Sequence, residues 1–128
     1  MNNYGYQQYK NQSVNTMTQG ELLVLLYDEA IKRLMRAEMS LKNNEIAVFE
    51  SSIDRVSDII RYLNKTLDKS YPVSKDISKL YDFFLYETAR IKAGRNADVI
   101  NEIKIMITDL RNTFKEADRI SQSVAVKS

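Results

Sequence analysis

Apolar residues recur along this chain at alternating intervals of three and four. The clearest run is Ile46, Phe49, Ile53, Val56, Ile60, Leu63 and Leu67, with Arg, Asp and Ser between them. That rhythm places one apolar stripe on a helix of 3.6 residues per turn and predicts a helix over 45–68. Before it, Leu23, Tyr27, Ala30, Leu34, Ala37 and Leu41 keep the same spacing, and Thr18-Gln19-Gly20-Glu21 reads as a capping box, so a first helix runs to about residue 42. Ile77, Tyr81, Phe84, Thr88 and Ile91 predict a third helix over 74–93, and Ile100, Ile103, Ile107, Leu110, Phe114 and Ala117 a fourth over 97–117. The breaks carry turn residues. Asn43-Asn44 closes the first helix and offers an N-cap for the second, Pro72 forbids continuation of the second, and Gly94 ends the third with Asn96 as the next cap.

Four helices with short connections predict an all-α fold, an antiparallel four-helix bundle over 17–118. Residues 1–16 are rich in Asn, Gln and Tyr and have no helical period, which predicts an irregular N-terminal flap. Residues 119–128 turn to Ser, Gln, Val and Lys and predict a frayed helix end and a mobile C-terminal tail.

A bundle helix needs one apolar stripe, yet Leu22 to Tyr27 are six apolar residues in a row. Leu-Tyr-Asp occurs in that stretch at 26–28 and again at 80–82. Further apolar residues fall off the stripes on every helix: Met35, Val48, Ile59, Tyr62, Phe83, Tyr86, Val99, Ile105 and Met106. Monomers rarely leave contiguous apolar surface uncovered. The cover is the N-terminal segment, a second copy in a weak homodimer, or the helices of a partner.

Composition narrows the function. Among 128 residues there is no His and no Cys, which removes histidine bases, cysteine nucleophiles, disulfides and the usual zinc ligands. Gly5, Gly20 and Gly94 stand apart, so there is no glycine-rich phosphate loop. With 19 basic and 17 acidic residues the net charge is +2, too balanced for a nucleic-acid or membrane-surface field. No apolar run reaches the ~20 residues that span a bilayer, so no membrane insertion is expected. Asp28 and Asp82 lack any companion nucleophile and read as partly exposed, salt-bridged carboxylates. Neither a catalytic residue, a cofactor nor a metal site is expected. The tyrosines of the first segment and Val14 are costly in a solvated tail, because aromatic faces prefer cover.

The residues that carry a family resemblance begin with Tyr6-Gln7-Gln8-Tyr9-Lys10-Asn11-Gln12-Ser13-Val14-Asn15-Thr16 and continue through Gly20-Glu21-Leu22 into Leu25-Leu26-Tyr27-Asp28-Glu29-Ala30-Ile31. Leu63-Asn64-Lys65-Thr66-Leu67-Asp68, Leu80-Tyr81-Asp82-Phe83-Phe84 and Leu110-Arg111-Asn112-Thr113-Phe114-Lys115-Glu116-Ala117 follow in order. Over residues 6–117 the chain resembles the flagellar secretion chaperones of the FliS family. It departs at Met17-Thr18-Gln19-Gly20, where the family usually has Ala-Thr-Pro-Gly, and at Phe114, usually Trp.

The resemblance implies a cytoplasmic, non-enzymatic helical bundle. It implies a partner, the C-terminal segment of flagellin, laid as helices along apolar grooves, and delivery to the export gate protein FlhA. Tyr6 and Tyr9 occupy positions that the family associates with covering the groove and docking the gate. With Val14 they form the expected flap contact. The groove candidates are Leu26, Tyr27, Ile59, Tyr62, Tyr81, Phe84, Tyr86 and Met106.

Overall fold

A computed structural model describes the backbone of residues 17–127 and the side chains of 17–121. It contains four helices: α1 (Gln19–Lys42), α2 (Ile46–Lys65), α3 (Ser74–Gly94) and α4 (Ala97–Lys127). The expected flap residues Tyr6, Tyr9 and Val14 lie outside the described residues.

Local chemistry explains most boundaries. Thr18 caps α1, its hydroxyl accepting the Glu21 N–H at 3.0 Å. At the α1–α2 turn the expectation fails in detail. Asn44 adopts φ 59°, a left-handed turn that Asn tolerates, and Glu45 holds the N-cap position of α2 with no side-chain bond. Gly94 stays helical, and Arg95 ends α3 instead, at φ 53° and ψ 48°, its N–H closing on the Ile91 carbonyl at 2.8 Å. α2 stops at Lys65, short of residue 68, while α4 stays helical to Lys127, past the expected end near residue 117.

Short connections make successive helices antiparallel. α1 packs against both α2 and α4, α2 also packs against α3, and α3 and α4 meet only sparsely. The core follows the expected stripes: Tyr27, Ala30, Leu34 and Ala37; Phe49, Ile53, Val56, Ile60 and Leu63; Tyr81, Phe84 and Ile91; Ile100, Ile103 and Ile107. Ile59 and Val99, expected as surplus surface, are buried as well. α2 is covered by neighbours on two sides, so its buried arc is wider than a coiled-coil seam and takes in Ser52 and Ser57. The Ser57 hydroxyl donates to Thr88 Oγ1 at 2.9 Å and Thr88 donates to the Leu85 carbonyl at 2.9 Å, so the α2/α3 contact satisfies its own polar groups.

Candidate functional site

The two Leu-Tyr-Asp triplets meet. Tyr27 on α1 and Tyr81 on α3 are both fully buried, and their hydroxyls hydrogen-bond to each other across the bundle. Burial pushes both phenols above their ordinary range; the neighbouring Tyr81 adds to the rise for Tyr27, while the bond to Tyr27 offsets part of it for Tyr81. Both therefore stay neutral at physiological pH. The flanking residues diverge. Asp28 pairs with Arg111 of α4, Nε to Oδ1 at 2.8 Å, as the expectation of a salt-bridged carboxylate had it. Asp82 instead accepts from Asn64 of α2 at 3.5 Å, and no ion pair reaches it among the described residues. Asn64 in turn accepts from Ser78 at 2.9 Å.

α4 is fastened to α1 along its length. Lys104 bonds Glu38 at 2.5 Å, Arg111 bonds Asp28, and Phe114 stacks on Tyr27 with ring centroids 5.7 Å apart. Near the start of α1 a Cβ on Gly20 would overlap the Asp118 carboxylate, and the Thr18 hydroxyl donates to that group at 3.5 Å. Met17, Glu21, Val24, Leu25, Asp28, Lys115 and Asp118 border a cleft of about 290 Å³ there.

The other flank of α4 is open. Between it and α3 lies a cleft of about 280 Å³ lined by Leu80, Met106, Asp109, Leu110 and Thr113. It is predominantly apolar and too open to enclose a small molecule, but it suits side chains projecting from a docked helix. Beyond it on α3, Phe83 and Tyr86 are exposed, and the Arg90 guanidinium stands 5.9 Å from the centre of the Tyr86 ring. Arg90 also bonds both oxygens of the buried Glu87, at 2.8 and 3.1 Å.

The expected groove residues separate into two sets. Met106 lines the cleft, Leu26 is half-buried against the core, and Tyr62 and Tyr86 are exposed. Tyr27, Tyr81, Phe84 and Ile59 are buried inside the bundle and offer no contact surface. Their assignment as groove residues is corrected: they support the surface from beneath, because each lies within the arc that neighbouring helices already cover. The groove candidates left out Leu80, Asp109, Leu110 and Thr113, Leu110 having been placed on the core stripe of the fourth helix. A legible signal was the run Met106, Leu110, Thr113 at spacings of four and three, which shares Leu110 with the core stripe and widens it to one side.

Among the described residues there is no group of three or more acidic side chains placed to hold a metal, and no helix is long and apolar enough to cross a membrane.

The model of the flagellar protein FliS family matches residues 1–121. The chain belongs to the FliS family. A relative, the flagellar secretion chaperone FliS of Bacillus subtilis (strain 168), is 27% identical over 112 residues, covering 88% of this chain and 84% of its own length. Both findings support the reading of this FliS-family bundle as a flagellar secretion chaperone.

Proposed function

We propose that this FliS-family protein is a cytoplasmic, non-enzymatic export chaperone that binds the C-terminal segment of flagellin, blocks premature polymerisation and hands the subunit to the export gate protein FlhA. The observation that carries the reading is the open α3/α4 seam: a bundle whose other neighbouring helices pack well leaves an apolar channel beside Leu80, Met106 and Leu110. A helix laid in that channel buries apolar surface on both partners, which is the source of affinity in helix-in-groove recognition. Holding a polymerising segment in a complex withdraws it from self-association by mass action, with no need for ATP. Tyr6, Tyr9 and Val14 belong to a segment that competes for the groove in the free protein and contacts the gate once client has displaced it.

Calorimetric titration of the full chain with a synthetic peptide of the flagellin C-terminal segment tests the reading. The expected result is saturable binding that Met106→Ser weakens at least about tenfold while helicity and thermal stability stay near wild type. A protein that ignores the peptide and forms a stable homo-oligomer by light scattering would instead be a self-associating structural bundle.

A further inference from the structure

α4 divides its charges by side. Its cations Lys104 and Arg111 are spent on α1 carboxylates, and Lys115 borders the α1/α4 cleft. Asp98, Glu102 and Asp109 form a different row. Their spacings of four and seven put them within about 40° of one another around the helix. All three are exposed, and none forms an ion pair among the described residues. Asp109 lines the cleft beside Met106 and Leu110, and Glu102 lies two turns before it on the same side of the helix, so the row leads into the margin of the α3/α4 channel.

α3 does not neutralise it. Arg90 lies close enough to feel Glu102, but its guanidinium is already held by both oxygens of Glu87. Like charges four apart, as at Asp98 and Glu102, cost an isolated helix a few tenths of a kcal/mol. Asp98 sits in the first turn of α4, where a carboxylate suits the helix dipole, but Glu102 and Asp109 lie beyond that turn and have no such role. The row gives an apolar channel an anionic margin.

We propose that the α3/α4 channel selects a basic amphipathic helix, whose apolar stripe seats on Leu80, Met106 and Leu110 and whose flanking Lys or Arg side chains pair with Glu102 and Asp109. The inference rests on the reading that the flagellin C-terminal segment docks in this channel, and adds the chemistry by which it is recognised. Pairs at such a margin set register and speed encounter more than they deepen affinity, and salt screens them.

The experiment titrates the full chain with the flagellin C-terminal peptide at about 50 mM and about 500 mM sodium chloride. The wild type is expected to lose affinity several-fold at the higher salt. The double variant Glu102→Gln/Asp109→Asn should bind several-fold more weakly at low salt and lose most of the salt dependence, with the deficit in the association rate. Glu50→Gln, an exposed carboxylate on α2, should match wild type. Met106→Ser should weaken binding at both salt concentrations. If Met106→Ser weakens binding while the double variant binds like wild type at both, the channel is a client site but its acidic margin recognises nothing, and the inference is overturned. If Met106→Ser binds like wild type, the channel reading itself fails.

Discussion

The two flanks of α4 are built from one helix yet behave as opposites. Toward α1 it presents Lys104, Arg111, Phe114 and Asp118, each meeting a specific partner. Toward α3 it presents Met106, Leu110 and Thr113, which meet a cleft. The Leu-Tyr-Asp repeat makes the contrast sharper, since α1 and α3 use the same triplet to reach the same central hydrogen bond. Asp28 then ties α1 to α4, while Asp82 ties α3 to α2 by way of Asn64. Relating α1 to α3 and α2 to α4 in this way would match the α1/α2 seam to the α3/α4 seam, but the first is well packed and the second is not. The bundle can spare one of its four seams because the core is closed by the other three. On the proposed function, the spared seam is where a client helix replaces the missing packing.

The largest expected effect tests that division of labour. Leu34 is fully buried on α1, so Leu34→Ala should cost about 2–5 kcal/mol in chemical denaturation. Leu110, half-buried at the open seam, should cost clearly less when changed to Ala, because solvent already reaches it. Equal losses would mean that the α3/α4 seam closes in solution and would erase the contrast.

Next in size is the tyrosine pair. Tyr27→Phe leaves the Tyr81 hydroxyl buried without its partner, at a cost of about 1–3 kcal/mol. The double change to Phe should cost less than the sum of the single changes. The pair also sets an alkaline limit. An unfolded phenol ionises near pH ~10, whereas the buried ones are held higher, so above that pH the unfolded chain releases protons that the fold retains. Stability from this source is fully present below about pH 10 and declines as pH rises beyond it. Denaturation midpoints across that window should fall in wild type and fall less steeply in the double Phe variant.

The smallest effect concerns the fastening of α4 to α1. Asp28→Asn breaks a partly exposed ion pair and should cost no more than about 1 kcal/mol, less at high salt. A much larger loss would show that the closed flank depends on this charge pair and not on the packing of Tyr27 against Phe114.

What could be read from sequence was the angle around each helix. Phe49, Ile53, Val56, Ile60 and Leu63 are all buried as their spacing required, and the four-helix architecture follows from such stripes and the short turns. A stripe does not say which helix covers it, or how fully. Ile59 looked like surplus because its neighbours on both sides were unknown, and Tyr27, Tyr81 and Phe84 looked like groove because nothing in the pattern separates an aromatic core from an aromatic surface. The open seam was illegible for the same reason: α3 and α4 carry stripes as good as those of α1 and α2. Helix ends were legible where turn residues mark them, as at Thr18, after Lys42 and before Ser74. Thr18 could be found, but the left-handed Arg95 beside an available Gly94 could not.

The near contact of Gly20 with Asp118 has an evolutionary consequence. Two positions far apart in sequence share one small volume, so position 20 is not free to gain a side chain while position 118 keeps its bulk. A side chain gained at position 20 drives the carboxylate outward and breaks its bond to Thr18, unless position 118 shrinks in the same lineage. Among related chains with this junction, a side chain at position 20 should therefore come with a smaller residue at position 118, recording in sequence the join between the start of the bundle and the later turns of its last helix.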